Sequence, residues 1–269
     1  MIDEGILLEQ SHKFRDVRQL DKDYLLTLLL YEIYTVFNDE LIFKGGTSLK
    51  YFYNLNRFSE DLDFSFTGAN DTAGRRILHK NLNTALGRLN LQYPVVESEH
   101  RGNKENGIVT GINYEIRIKG PLYNRLQQLQ NITLDISVRQ DVLQKFDLKY
   151  LVPAYQDIPT FSVPVMNIEE IIAEKIASII ERDKMRDIYD LYFLLALRGI
   201  KLDFKMVREK MKKRKERFDI DILKNKIKNA SSLMKWKSEL SYLTNPLPDN
   251  KIVVESLEAA IDFHSDSFP

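Results

Sequence analysis

FKGGTSLKYFYNLNRFSEDLDFSF, residues 43–66, predicts the architecture of the first half of this chain. A short buried strand is expected over residues 41–44, followed by a glycine turn, a helix beginning at Thr47 and a second strand. In the second strand polar and apolar residues alternate with the period of two that is typical of a strand with one buried face: Asp61, Asp63 and Ser65 against Leu62, Phe64 and Phe66. Asp61 and Asp63 are therefore expected to project from the same face.

The glycine turn is suited to binding a phosphate group. Gly45 and Gly46 would let the backbone approach a ligand without a Cβ atom in the way. The turn leads into a helix N-terminus, whose unpaired N–H groups attract anions such as a triphosphate. Thr47 and Ser48 would add hydroxyl donors at the same place. Taken alone, however, a Gly-Gly pair before a helix is most often only a turn.

The carboxylates of Asp61 and Asp63 are candidate metal ligands, because two neighbouring carboxylates repel each other unless a cation lies between them. Oxygen ligands of this kind suit Mg²⁺, and substrate phosphates can complete its coordination. Asp135, in the alternating stretch over residues 132–138, is the predicted third ligand and could also accept the proton of an attacking hydroxyl. In isolation, an Asp-x-Asp pair or a single strand aspartate is more often solvated than metal-bound.

The remaining pattern predicts an α+β protein of two domains. Besides the elements above, helices are expected over residues 21–37, beginning at Asp21 or Asp23, and over residues 71–91, with Ile77 on the buried side. Further strands are expected over residues 95–99, 108–118 and 132–138, with a turn or a loose hairpin tip over residues 101–107. After Pro164 only helices are expected, over residues 168–182 and 186–197 and then three more. Residues 1–163 thus form a mixed sheet with flanking helices, and residues 164–269 a helical bundle.

Composition narrows the functional classes. The chain has 39 basic and 39 acidic residues, and zero net charge argues against polybasic binding of nucleic acid. It has no cysteine, which excludes a disulfide scaffold, a thiolate metal site and a cysteine nucleophile. The N-terminal residues lack the apolar run of a secretory signal, and no segment approaches the roughly 20 apolar residues of a membrane span. We therefore expect a soluble, cytoplasmic protein.

The order of glycine turn, helix, Asp-x-Asp strand and later strand aspartate resembles the polymerase-β-like nucleotidyltransferase superfamily. The fuller wording, KGGTSLKYFY followed by RFSEDLDFSF, is similar to the AbiEii/AbiGii group of that superfamily, the toxins of type IV toxin–antitoxin systems. A second block, IEEIIAEKIASIIERDKMRDIYDLYFLL, matches the group's helical lysine and Arg-Asp-x-x-Asp-Leu pattern at Lys175, Arg186, Asp187, Asp190 and Leu191. The resemblance covers residues 40–195. Its loop between Gly46 and Asp61 is long for the superfamily, which leaves the roles of Arg57 and Ser59 undefined.

The resemblance implies a polymerase-β-like nucleotidyltransferase domain followed by a helical domain. It also implies roles in nucleotide binding for the second block. Lys175 would contact the triphosphate as a point charge, and Arg186 would also belong to the nucleotide-binding residues. Asp187 and Asp190, which share a helix face, would position Lys175 or the base. The alternative is a solvated lysine, together with a helix cap at Asp183 or Asp187 and surface ion pairs worth at most about 1 kcal/mol each.

The implied activity is Mg²⁺-dependent transfer of a nucleotide from an NTP to an acceptor hydroxyl, in an RNA such as tRNA, restrained by a cognate antitoxin. The basic segment over residues 205–217 could contact RNA phosphates, although such a segment is more often a solvated helix. The basic and aromatic residues between 114 and 125 could contact the same RNA. Two other functions stay open: transfer to a protein or small-molecule hydroxyl, and a non-catalytic nucleotide-binding module.

Overall fold

The computed structural model describes residues 1–229 and 233–266, which form two compact units. The sheet unit comprises residues 1–54, 59–142 and 146–165. The helical unit comprises residues 55–58, residues 143–145 and the chain from residue 166 onwards. Two short segments, residues 55–58 and 143–145, therefore belong to the helical unit although they lie before residue 166. A single boundary at residue 164, as expected from the sequence, leaves these two segments in the first domain.

In residues 1–165, all of which are described, seven strands form one mixed sheet. They are β1 (Leu41–Lys44), β2 (Asp61–Phe66), β3 (Val95–Glu105), β4 (Ile108–Ile118), β5 (Gln130–Ser137), β6 (Asp147–Leu151) and β7 (Phe161–Val165). Their order is β3-β4-β5-β2-β1-β7-β6, with β2–β5 and β1–β7 parallel and the other pairs antiparallel. The mixed sheet expected from the sequence is confirmed. The sequence prediction missed β6 and β7, because both lie in a stretch interrupted by prolines, which argue against a central strand.

The hairpin of β3 and β4 is longer and tighter than predicted. Backbone pairing continues to Glu105 opposite Ile108, so residues 101–105 are strand and not a loose tip. The turn consists of Asn106 and Gly107 alone, both with positive φ (49° and 81°). An Asn-Gly pair in this conformation matches the twist of a two-residue hairpin.

The helices of the sheet unit are α1 (Glu4–Leu8), a 3-10 turn (Glu9–Lys13), α2 (Val17–Tyr34), α3 (Gly45–Tyr53), α4 (Thr72–Gln92) and α5 (Tyr123–Leu126). Two details of the sequence prediction were wrong. Asp16, not Asp21 or Asp23, caps α2 by accepting from the N–H groups of Arg18 and Gln19. Ile77 on α4 is 57% exposed, because it lies beside the buried stripe of that helix and not within it.

One face of the sheet is apolar and buried. Leu62 and Phe64 of β2, Leu134 and Ile136 of β5, and apolar residues of α2 and α4 belong to one hydrophobic cluster. Burying each such side chain contributes about 1.5–3 kcal/mol, so the register of these strands is strongly specified. The residues that alternate with them, including Asp61, Asp63 and Asp135, necessarily project from the opposite face.

The helical unit contains α6 (Ile168–Glu181), α7 (Met185–Tyr192) with a π-helical continuation (Phe193–Leu197), α8 (Phe204–Lys213), α9 (Ile220–Asn229), α10 (Leu233–Leu240) and α11 (Asn250–Asp266). The helical C-terminal region is confirmed, but four helices, not three, follow residue 197 in the described part of the chain. Among the described residues, no helix combines the length and apolar character needed to cross a membrane.

Candidate active site

Asp61, Asp63 and Asp135 lie on the polar face of two neighbouring strands. The parallel register of β2 and β5 pairs Asp63 directly with Asp135 and Asp61 with Thr133. Register partners on adjacent strands project from the same face, so Asp135 lies beside the Asp-x-Asp pair. The burial of the alternate apolar residues keeps all three aspartates on this face.

The same row of the sheet continues on both sides of the aspartates. Lys44 of β1 is the register partner of Asp63, and Asn113 of β4 is the register partner of Asp135. Asn113 Nδ2 donates to Asp135 Oδ1 at 3.1 Å. Asp61 and Asp63 are half-buried, whereas Asp135 is exposed. The aspartates are therefore flanked by a cationic residue on one side and a neutral amide on the other.

The carboxylates of Asp61, Asp63 and Asp135 are not arranged as the ligands of a metal ion in this structure. Across residues 1–229 and 233–266, no group of three or more His, Cys, Asp or Glu side chains is arranged so that it could hold a metal ion. The backbone positions of the predicted ligands adjoin, but one oxygen of Asp135 is engaged by Asn113, and carboxylates so close together repel one another. In chemistry the donors nevertheless fit a hard cation such as Mg²⁺, because all are carboxylate oxygens.

Helix α3 begins against the carboxylate of Asp63. Gly45 has a φ of +75°, and a Cβ on it would lie 2.0 Å from Asp63 Oδ2. Only glycine is compatible with both the positive φ and the close approach. The first N–H groups of α3 therefore start beside the carboxylate of β2.

The hydroxyl groups of Thr47 and Ser48 are used inside the protein. Thr47 Oγ1 donates to the carbonyl oxygen of Asp61 at 2.5 Å, and Ser48 Oγ donates to that of Gly45 at 2.9 Å. Both side chains are fully buried. This differs from the expectation that the two hydroxyl groups donate to a phosphate. The Thr47 hydroxyl instead connects the first turn of α3 to β2, and the Ser48 hydroxyl forms a hydrogen bond within that turn.

An open groove of about 350 Å³ lies on the same polar face, beyond Asp61. Thr133, the register partner of Asp61, lines it together with Glu97, Glu99 and Glu115. Arg117 also lines the groove but is paired with Glu97, with 2.8 Å between Nη1 and Oε2. An acidic lining repels a polyanion, so the groove is unfavourable for a triphosphate.

The second block of sequence forms a buried ion cluster in the helical unit. Lys175 Nζ lies 3.0 Å from Asp187 Oδ1 and 2.7 Å from Asp190 Oδ2. Arg182 Nε pairs with Asp187 Oδ2 at 2.9 Å. Both aspartate side chains are fully buried and that of Lys175 is 10% exposed, so the alternative of a solvated lysine and surface pairs was wrong.

Arg57 completes this cluster and was not assigned a role from the sequence. Its Nε and Nη2 atoms donate to the two oxygens of Asp190 at 2.6 and 2.7 Å. The carboxylates of Asp187 and Asp190 are thus occupied by cations, and direct contact with a base is not available to them in this structure. Arg186, beside Asp187 in the chain, is half-buried. The long loop between Gly46 and Asp61 was the one sequence signal that pointed towards Arg57.

Electrostatics keep the cluster charged. Burial by itself would raise the pKa of Asp190, but Arg57 and Lys175 outweigh it and hold that pKa below its usual range. Lys175 and Arg182 do the same for the pKa of Asp187. Burial would lower the pKa of Lys175, but the two aspartates raise it. Lys175 is therefore a fixed, protonated cation at neutral pH.

Part of the basic segment over residues 205–217 is not a free surface. Lys210 is fully buried, with its Nζ 2.7 Å from Glu170 Oε1 and 3.1 Å from Glu174 Oε1. Arg214 Nη1 pairs with Glu181 at 2.7 Å. Among the residues between 114 and 125, Tyr114 is 1% exposed and belongs to the core, so its ring is not part of a surface that could contact RNA.

Comparisons with known proteins point to one family. The family model described as the nucleotidyl transferase AbiEii toxin of the type IV toxin–antitoxin system matches residues 28–263. The fold is similar to that of MenT4, a nucleotidyltransferase toxin from Mycobacterium tuberculosis H37Rv (TM-score 0.67, 19% identity, 99% of this chain and 90% of that chain covered). It is also similar to a putative nucleotidyltransferase from H. pylori (TM-score 0.55, 22% identity, 92% and 95% covered). No curated protein matches the sequence. Because the family match spans most of the chain, the protein belongs to the AbiEii family of nucleotidyltransferase toxins of type IV toxin–antitoxin systems.

Proposed function

We propose that this nucleotidyltransferase transfers a nucleoside monophosphate from an NTP to a hydroxyl group of an RNA such as tRNA. Asp61, Asp63 and Asp135 would hold Mg²⁺ for this reaction. The observation that carries the proposal is the register pairing of Asp63 with Asp135, with the glycine start of α3 against Asp63. Family membership implies the NTP as substrate and an antitoxin as partner.

Each side chain of the polar row has a distinct part in this proposal. Bound Mg²⁺ would supply positive charge for the attacking and leaving oxygens. The second carboxylate oxygen of Asp135, which Asn113 leaves available, would accept the proton of the acceptor hydroxyl. The acceptor oxygen would form a bond to the α-phosphorus as the bond from that phosphorus to pyrophosphate breaks.

The charges along the polar face favour one orientation of the triphosphate. The backbone N–H groups of Gly45 and Gly46 open α3 beside Asp63, and a helix N-terminus attracts anions. Lys44 precedes them at the register position of Asp63. On the other side, the groove is lined by Glu97, Glu99 and Glu115. We therefore place the phosphates at the α3 end of the row.

The helical unit would contribute positive charge to nucleotide binding. Lys175, kept protonated by Asp187 and Asp190, would act on the phosphates as a point charge. Arg186, which precedes Asp187 in the chain, would add a second positive charge to nucleotide binding. The contacts of Asp187 and Asp190 favour a role in positioning Lys175 over a role in positioning the base. Exposed cations of the basic segment would contact the RNA backbone: Lys205, Lys212, Lys213, Lys215 and Arg217.

A labelling experiment tests the proposal. The protein is incubated with each of the four α-labelled NTPs, Mg²⁺, and total RNA or total protein, beside the variants Asp63→Asn and Glu99→Gln. Label is expected in RNA with the wild type and with Glu99→Gln, which changes a carboxylate on the same face at an outer strand. Asp63→Asn or chelation of Mg²⁺ should lower transfer at least about 100-fold. Label in protein alone would overturn the RNA assignment, and full activity of Asp63→Asn would overturn the site.

A further inference from the structure

Residues 55–58 are a short segment with an unusual position in the fold. They connect α3 to β2, two elements of the sheet unit, yet they belong to the helical unit. Asn54, with a φ of 58°, ends α3 in the left-handed conformation and redirects the chain into the segment. Only Ser59 and Glu60 separate the end of the segment from Asp61. The segment therefore directly precedes the strand that bears the candidate metal ligands.

The 55–58 segment is held by side-chain and backbone hydrogen bonds inside the helical unit. The carbonyl oxygen of Asn56 accepts from Tyr189 Oη at 2.9 Å and from Thr244 Oγ1 at 3.0 Å. The N–H of Phe58 donates to the carbonyl oxygen of Leu243 at 2.6 Å. Leu55 and Phe58 are at most 6% exposed. Apolar burial and backbone pairing thus fix the segment on both sides of Arg57.

Arg57 adds a directional contact. Its side chain is 3% exposed and that of Asp190 is fully buried, and the two parallel N–H···O bonds form a bidentate pair. Nη1 of Arg57 also donates to the carbonyl oxygen of Phe58 at 2.9 Å. A bidentate Arg–carboxylate pair fixes both distance and orientation, which an apolar contact does not. The cost of desolvating both groups offsets much of their attraction, so a buried pair of this kind adds little net stability. Its main contribution here is to specify the geometry of the segment.

The other early passage of the chain through the helical unit has a comparable arrangement. Residues 143–145 follow β5, the strand of Asp135. The N–H groups of Leu143 and Gln144 each donate to Glu170 at 2.9 Å, and Lys210 Nζ contacts the same carboxylate at 2.7 Å. A fully buried carboxylate therefore binds each of the two segments: Asp190 binds Arg57, and Glu170 binds the N–H groups of Leu143 and Gln144.

We propose that Arg57 is a positioning residue for nucleotidyl transfer: its pair with Asp190 fixes the 55–58 segment and thereby the start of β2, which carries Asp61 and Asp63. This role rests on the proposed function. A displacement of about 1 Å of reacting groups can cost 100-fold in rate, so Arg57 contributes to the chemistry without touching the substrate. Asp190, which holds both Arg57 and Lys175, links the two cations at one carboxylate.

Amide hydrogen exchange tests this role without any substrate. In Arg57→Met, the exchange rate of the amides in residues 59–66 should rise at least about tenfold relative to that of the amides in β4. The β4 amides serve as an internal reference, because a general loss of stability would raise both rates. Arg57→Lys keeps the charge but loses the bidentate geometry, and should show the same change to a smaller extent. Leu223→Ala, a core truncation in α9 of the helical unit, should leave the ratio as in the wild type. An unchanged ratio in both Arg57 variants would overturn the proposal.

Transfer kinetics supply the second readout. Arg57→Met is expected to lower kcat by about 10- to 100-fold with KM for the NTP within about threefold, whereas Leu223→Ala keeps kcat below its melting temperature. Wild-type kcat in Arg57→Met despite faster exchange would overturn the positioning role. If the wild type transfers no nucleotide at all, the proposed function fails, while the exchange ratio still shows whether Arg57 holds β2.

Discussion

The carboxylate of Asp63 occupies the space that a side chain on residue 45 would need. A Cβ on Gly45 would lie 2.0 Å from Oδ2 and 2.6 Å from Cγ of Asp63. The glycine turn and the strand that carries Asp61 and Asp63 are therefore packed against each other, and a change in one displaces the other. From the sequence alone, Gly45 could be an ordinary turn residue. The contact with Asp63 explains why the site requires a glycine at this position.

Replacing Gly45 by alanine should damage both stability and activity. The new Cβ would collide with Asp63 and the positive φ would be strained, for a loss of about 1–3 kcal/mol in unfolding free energy. Transfer should fall at least about tenfold, because Asp63 must move. Urea unfolding and initial rates measure the two effects. Gly87→Ala on the exposed side of α4, where a Cβ meets nothing within 4 Å, should instead stabilise the protein.

The hydrogen bond from Asn113 to Asp135 should matter less than the carboxylate itself. Asp135→Asn removes the proposed base and metal ligand, and we expect transfer to fall at least about 100-fold. Asn113→Ala removes only an orienting contact, and a loss of about three- to tenfold is expected. Asn131→Ala, an exposed amide on the same strand as Asp135, is the control. Equal losses for Asn113→Ala and Asp135→Asn would contradict this assignment of roles.

Acid should weaken the helical unit through Asp187 and Asp190. Both pKa values lie below the ordinary 3.8 in the folded protein, so the unfolded chain binds protons first as the pH falls. Their stabilisation is present above about pH 5 and is lost as the pH falls through 3.8 towards the lower folded values. Asp187→Asn should therefore flatten the pH dependence of the unfolding free energy below about pH 5.

Urea titrations at a series of pH values from about 3 to 7 measure this effect. Asp183→Asn, which changes a carboxylate that is 61% exposed in the same part of the chain, should retain the wild-type slope. A wild-type slope in Asp187→Asn would show that the buried cluster is not a source of the acid sensitivity.

Two lysines of α8 should differ sharply in their effect on stability. Lys210→Met leaves Glu170 buried without its cation, and a loss of about 3–5 kcal/mol is expected. Lys212→Met, two positions further on an exposed side, should change stability by no more than about 0.5 kcal/mol. Thermal or urea unfolding of the two variants measures the difference. Similar stabilities would contradict the burial of Lys210.

The sequence alone was sufficient for the features that depend on local pattern. The alternation around Asp61 and Asp63 places both on one strand face whatever the strand packs against. The sequence likewise predicted a turn at Gly45, from the pair of glycines that precedes a helix. Periodicity predicted the strand of Asp135 and the helices of the second half. Family resemblance added Lys175 and its two aspartates as a group, because a motif preserves which residues act together.

The tertiary structure decided which of these groups meet and which remain exposed. Register between β2 and β5, strands distant in sequence, brings Asp135 beside Asp63. Burial turns Lys175, Asp187 and Asp190 from apparent surface charges into a closed cluster that includes Arg57, and it commits the hydroxyls of Thr47 and Ser48 to backbone carbonyls. Periodicity is a property of neighbours in the chain, whereas strand pairing, desolvation and ion pairing arise between residues that only folding brings together.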